Sequence, residues 1–184
     1  MAELLTKKEQ RDLLKIARDA IVSYVTSGTV PAVETVSKGL NLESGCFVTI
    51  KQHGQLRGCI GNFISDKPLY RLVQEMAVSA ATRDPRFYPM KRQDLDAFGL
   101  EISVLSPLEL ISSVDEIKVG THGIYLVKNS YRGVLLPQVA TEYGWDRDTF
   151  LRHTCIKAGL PENAWQKECQ IFIFSAQVFG EAEA

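Results

Sequence analysis

The stretch "CFVTIKQHGQLRGCIG", residues 46 to 61, constrains the fold more than any other part of the chain. It consists of two short runs of β-forming residues joined at His53-Gly54, which suits a hairpin turn. The second run carries Gly58 and Gly61 on either side of Cys59, with Arg57 just ahead. Glycine weakens a strand because it has no side chain to pack, so two of them in one short run ask for a compensating reason. Strict alternation predicts Leu56, Gly58 and Ile60 on one face and Arg57, Cys59 and Gly61 on the other. On that reading the Arg57 guanidinium can lie near the thiol, Gly61 leaves a notch beside the sulfur, and Gly58 opens a gap on the opposite face.

The rest of the chain alternates between helical and extended patterns. Thr6 and Glu9 form a capping box, and Leu13, Ile16, Ala17, Ala20, Ile21 and Tyr24 keep helical spacing up to Gly28. Asp66-Lys67-Pro68 opens a second helix whose Leu69, Leu72, Val73, Met76 and Ala80 share a face, ending near Arg83. "DPRFYPMKRQDL" is predicted as a structured loop leading into a short helical turn, and "LEISVLSPLEL" as a strand stopped by Pro107. "HGIYLVKNSYRGVLLP" is a second hairpin with Asn129-Ser130 at its turn. Asp146 caps a third helix that runs through Cys155 to Gly159, and "CQIFIFSAQVF" is an apolar closing strand. Without a regular βαβ rhythm the class is α+β, an antiparallel sheet with packed helices.

A length of 184 residues suits one domain or two closely packed lobes that fold without a disulfide or metal. The formal charge of −1 gives no global field to attract a polyanion. Cys46, Cys59, Cys155 and Cys169 form no CxxC pair and read as reduced thiols in a cytoplasmic protein. Three isolated histidines lack metal-ligand spacing, and GxGxxG, GxxxxGK and GxSxG are all missing, so no metal or cofactor is expected. The start "MAELLTKKEQRDLL" turns charged at once, unlike a signal peptide, and no run is long enough to span a membrane.

The residues that could carry catalysis are Cys59 as nucleophile and His122, in "THGIY", as its base. Arg57 or Arg86 would anchor a carboxylate or phosphate, with Asp84 beside Arg86 in the "DPR" loop. Nothing in the sequence places His122 beside Cys59. The plainer alternatives are a turn histidine bonded to the backbone, loop charges that satisfy each other and nearby backbone, and glycines that mark close packing. "RDPRFYPMKR", residues 83 to 92, interleaves Arg83, Arg86, Lys91 and Arg92 with Phe87 and Tyr88, a superficial nucleic-acid pattern diluted by Asp84. "LLPQVATEYGW" could line a cleft, although packing of Trp145 is the ordinary outcome.

"LRGCIG" at 56 to 61 resembles the hallmark hexapeptide of the AMMECR-domain family. "AATRDPRFYPM", "LEISVLSP", "THGIYL", "GVLLPQVATEYGW" and "FLRHTCIKAGLPENAW" resemble its successive blocks in order, over roughly residues 10 to 180. The resemblance implies a single AMMECR domain over residues 1–184 with a larger and a smaller lobe. It also implies association with a Memo-like or a radical S-adenosylmethionine protein, and it names a domain rather than a reaction. The expected function is a ligand- or partner-binding domain with a groove around "LRGCIG", its binding residues drawn from Arg57, Gly58, Gly61, Asp84 and Arg86. The alternatives are an enzyme or enzyme subunit using Cys59 on a small anionic substrate in a modification pathway, and a nucleic-acid-associated role in transcription, repair or translation.

Overall fold

The structure, a computed structural model, describes residues 5–34 and 37–181; Met1–Leu4, part of the stretch read above for a signal sequence, lie outside them. In chain order the elements are α1 (Lys7–Ser27), β1 (Cys46–Gln52), β2 (Gln55–Asn62), α2 (Leu69–Thr82), β3 (Gly99–Leu105) and β4 (Glu109–Leu110). They continue with β5 (Gly123–Lys128), β6 (Tyr131–Leu135), α3 (Pro137–Glu142), α4 (Arg147–Lys157), β7 (Gln170–Phe174) and β8 (Ala176–Gly180). The described residues form an α+β fold with two four-stranded antiparallel sheets. The chain divides into two compact units, one over Met1–Leu105 and Gln177–Ala184, the other over Ser106–Ala176.

In the first unit the sheet order is β2-β1-β3-β8. Inward residues of α1 (Leu13, Ala17, Ile21) and α2 (Leu72, Val73, Met76) share one core with Val48, Ile50, Ile102 and Val104 of the sheet. The start of α1 is fixed as its sequence predicts. The Thr6 hydroxyl accepts the Glu9 N–H at 3.3 Å, the Glu9 carboxylate accepts the Thr6 N–H at 2.9 Å, and Gly28 closes the helix. His53 and Gly54 take φ of 52° and 73°, the two positive values that a tight hairpin turn matched to strand twist requires.

The second unit has sheet order β4-β7-β5-β6. Phe150, Leu151 and Cys155 of α4 pack with Ile124, Leu126, Ile171 and Ile173 of that sheet into a separate core.

Several elements depart from the sequence reading, each for a local reason. The closing segment, predicted as one strand, is divided between the sheets, with β7 giving way to β8 at Ser175, whereas β3 stops before Pro107 as its sequence predicts and gives way to β4 of the other sheet at Ser106-Pro107. These two steps bond to each other, with the Ser106 N–H donating to the Ser175 carbonyl at 2.8 Å and the Ser175 N–H donating to the Ser106 hydroxyl at 2.9 Å. The apolar run continues through Ser175, which hides that step in the sequence, while Pro107 marks the other. Helix α2 starts after Pro68 instead of at an Asp66 cap, because Pro68 still bridges Glu43 in extended conformation. The six-residue α3, with Pro137 at its first position, falls in the segment read as a cleft lining.

The hairpin holds the main correction. Its register shifts between Ile50 and Lys51: Ile50 faces Gly58, Lys51 faces Leu56, and Arg57 is the extra residue of a β-bulge. Leu56 and Gly58 therefore fall on opposite faces, and strict alternation fails at Arg57. Gly58 is turned toward the helices, where an added Cβ would collide with the Ala80 carbonyl of α2. The glycine thus permits a close approach of strand to helix backbone. Gly58→Ala is expected to lower stability by about 1–3 kcal/mol through overpacking against a backbone atom, measured by denaturant unfolding; an unchanged midpoint would contradict this contact.

Candidate functional site

Strand β2 is the outer strand of its sheet, so half of its backbone groups point away from β1 with no strand to receive them. At Cys59 side chains from the loop after α2 take that place. The Cys59 N–H donates to Asp84 Oδ2 at 2.9 Å, and Arg86 Nη2 donates to the Cys59 carbonyl at 3.4 Å. Asp84 in turn accepts the Arg86 N–H at 3.1 Å, Nε at 3.0 Å and Nη2 at 2.7 Å. The loop is bent into position by its own backbone: the Arg83 N–H closes α2 on Ser79, Phe87 donates to the Asp84 carbonyl, and Met90 donates to the Ala81 carbonyl.

Asp84 is 4% exposed while the Arg86 side chain is 54% exposed. The Arg86 hydrogen bond, aided by the N–H groups of Cys59 and Arg86, outweighs the effect of burial and holds the Asp84 carboxyl well below its ordinary value. Arg86 is held above its ordinary value first by Asp84 and, more weakly, by the charge a Cys59 thiolate would carry.

Cys59 is half-buried and faces Thr49 across the ladder, and the Thr49 hydroxyl donates to its sulfur at 3.2 Å. Gly61 faces Phe47, whose ring occupies the space that a Gly61 side chain would take. The notch predicted beside the sulfur is therefore filled, because an aromatic neighbour covers the glycine.

Arg57 goes elsewhere. Its side chain is 8% exposed, its Nη2 donates to the Tyr88 carbonyl at 2.9 Å, and its guanidinium lies 4.4 Å from the centre of the Tyr88 ring. The cation geometrically tied to Cys59 is Arg86, because the bulge turns Arg57 under the loop.

His122 belongs to the second unit, where its Nδ1 accepts the Lys118 N–H at 3.2 Å. The ring is tied into its own turn. The structure brings together Cys59, Asp84 and Arg86, and it gives His122 a separate local partner.

The other thiols sit in different surroundings. Burial pushes Cys46 up to about 12, and burial also raises Cys155 and Cys169. All four cysteines are free. Among the described residues no group of three His, Cys, Asp or Glu side chains is placed to hold a metal, and no helix is long and apolar enough to cross a membrane. A cleft of roughly 950 Å³ in the first unit is lined by Tyr24, Pro31, Tyr70, Arg71 and Gln74 among others, and reaches Ser79 and Arg83 at the end of α2 but not Cys59, Asp84 or Arg86. In the second unit Trp145 is half-buried, stacked between His153 at 3.9 Å and Tyr143 at 5.0 Å between ring centres.

Sequence reasoning did not select Thr49, Phe47 or Asp94, and it noted Tyr88 only within a basic-aromatic pattern rather than as a partner of Arg57. Thr49 and Phe47 sit opposite Cys59 and Gly61 only because of the bulge, since an unbroken register from the Gln52–Gln55 pair would have set Val48 and Cys46 there. Tyr88 and Asp94 also depend on the bulge, which nothing in the sequence marks.

A two-unit α+β chain with a glycine-bearing edge strand closed by an Asp-Pro-Arg loop defines the class. The sequence matches the AMMECR1 family over residues 14–179, and the chain belongs to that family. Its relatives include Protein MK0488 of Methanopyrus kandleri, 43% identical with 100% of this chain and 93% of that protein covered. Protein MJ0810 of Methanocaldococcus jannaschii is 40% identical, with 98% and 94% covered. The crystal structure of the uncharacterized protein PH0010 from Pyrococcus horikoshii is similar at a TM-score of 0.84 and 36% identity, covering 98% of this chain and 95% of that one.

The lowered Asp84 value fixes a pH dependence. A carboxyl depressed in the folded state contributes stability that is fully present above its ordinary value of 3.8 and is lost as pH falls through the lowered one. Asp84→Asn is expected to cost about 1.5–3 kcal/mol at neutral pH, mostly through the backbone N–H bonds, since the exposed Arg86 arm is screened by water. The difference from wild type should shrink as pH drops below 3.8 in urea titrations; a difference that stays constant there would contradict the assignment.

Proposed function

We propose that the chain is a cytoplasmic binding domain that receives a protein partner where Arg86 stands beside Cys59. The observation that carries this reading is the mounting of Arg86. Its side chain is more than half exposed, yet two bonds to a buried carboxylate fix its direction. A cation oriented before contact loses little side-chain entropy on binding, which is what a recognition residue needs. The half-buried thiol next to it adds a soft surface. Among the described residues the sulfur's hydrogen-bond partner is the Thr49 hydroxyl, with no imidazole or carboxylate bonded to it, which favours recognition over nucleophilic catalysis. Four free thiols are in keeping with a reducing compartment. The family resemblance suggests a Memo-like or a radical S-adenosylmethionine protein as the partner.

A second reading, Cys59 as a nucleophile toward a small anionic substrate, has one observation in its favour: Arg86 donates to the Cys59 carbonyl at 3.4 Å, which places a cation at the same residue as the thiol. Calorimetric titration with the purified Memo-like and radical S-adenosylmethionine proteins separates the two. Binding is expected to weaken about tenfold, roughly 1.4 kcal/mol, in Arg86→Gln and to weaken also after iodoacetamide treatment of Cys59. Equal affinity in wild type and Arg86→Gln would overturn the partner reading. A covalent adduct on Cys59 after incubation with a small carboxylate or phosphate ester would favour the second.

A further inference from the structure

The Arg57 guanidinium is a buried cation with most of its hydrogen-bonding capacity unused. It makes one hydrogen bond, to the Tyr88 carbonyl, and its Nε and Nη1 have no partner. Its nearest anion, Asp94 Oδ2, is 3.9 Å away and already accepts the Lys91 N–H at 2.8 Å. A guanidinium offers five N–H donors in a plane, and burying it without acceptors is costly. Aromatic faces compensate in part, with Tyr88 at 4.4 Å and Phe87 at 5.9 Å from the guanidinium carbon. They stabilise the charge but leave the N–H groups without acceptors.

The roof over this cation is thin. Residues 86–91 have no helix or strand, and Tyr88, whose ring and carbonyl cover Arg57, is 59% exposed. We infer that Arg57 is a closed receptor for a carboxylate group, admitted when residues 87–89 lift between the anchors at Arg86 and Met90 and Tyr88 swings away. A carboxylate has two coplanar oxygens that match the guanidinium fork. Asp94 sets the charge selectivity: with one negative charge already beside Arg57, a single further charge is tolerated better than the doubly charged form of phosphate. The bulge gives the site its depth by making Arg57 the residue left out of the ladder.

The receptor shares the loop with the binding surface proposed above but not its contact residue, so either can fail alone. The test follows the side-chain Nε–H resonance of Arg57 by NMR on the full chain, titrated at constant ionic strength with sodium acetate and, separately, with inorganic phosphate. Exposed Arg11 serves as the control. The expected result is a saturable shift of the Arg57 signal with acetate and not with phosphate, with faster amide exchange at Phe87 and Tyr88. The acetate affinity should rise several-fold in Tyr88→Ala and persist in Arg86→Gln, which retains Arg57. An Arg57 signal that moves no more than that of Arg11, or that responds to phosphate as well as to acetate, would overturn the receptor. So would an affinity indifferent to Tyr88→Ala in a variant whose amide spectrum shows it folded.

Discussion

The outer edge of β2 presents backbone groups that no strand meets, and the whole neighbourhood of Cys59 is organised by how they are satisfied. Asp84 and Arg86 stand in for a neighbouring strand, one accepting the Cys59 N–H and the other donating to its carbonyl. A side-chain cap of this kind blocks strand addition at that point while leaving the cysteine side chain on the sheet face. It also explains why an acidic and a basic residue two positions apart flank a proline. The carboxylate has to be buried to reach the edge, and the guanidinium has to compensate it without losing contact with water.

The two glycines beside Cys59 answer different demands. Gly58 lets β2 press against the Ala80 carbonyl of α2, and Gly61 yields its side-chain space to the Phe47 ring. Neither opens a cavity beside the sulfur. Between the hairpin turn and these glycines, the bulge removes Arg57 from the strand pattern and sends it beneath Tyr88. The result is a pair of guanidiniums with opposite characters, Arg86 presented to solvent and Arg57 enclosed, both near the ring of Phe87 at 5.5 and 5.9 Å.

Three of the four helices, both hairpins and the α+β class were legible from periodicity and from cap and turn residues, because those signals are local. The Thr6–Glu9 box and the His53-Gly54 turn came out as read. The step at Ser175 was hidden because the apolar run carries on through a change of sheet, whereas Pro107 announced the end of β3; the mutual bonding of the two segments had no sequence signal. At the site, Cys59, Asp84 and Arg86 were picked out one by one, but their joint geometry depends on a side chain reaching a strand edge, a contact with no sequence period. Arg57 was misplaced for one reason: a single inserted residue changes which way every later side chain points. His122 stood out by residue type, and residue type says nothing about its bond to the Lys118 N–H.

The most direct test of the edge cap is hydrogen exchange at the Cys59 amide in the native protein, compared with Asp84→Asn. If Asp84 closes the edge of β2, the Cys59 amide is protected in wild type to a degree like that of amides bonded within the β1–β2 ladder, and it loses much of that protection in the variant while those ladder amides keep theirs. A Cys59 amide that exchanges freely in the wild-type protein, or that is equally protected without the carboxylate, would contradict the central claim.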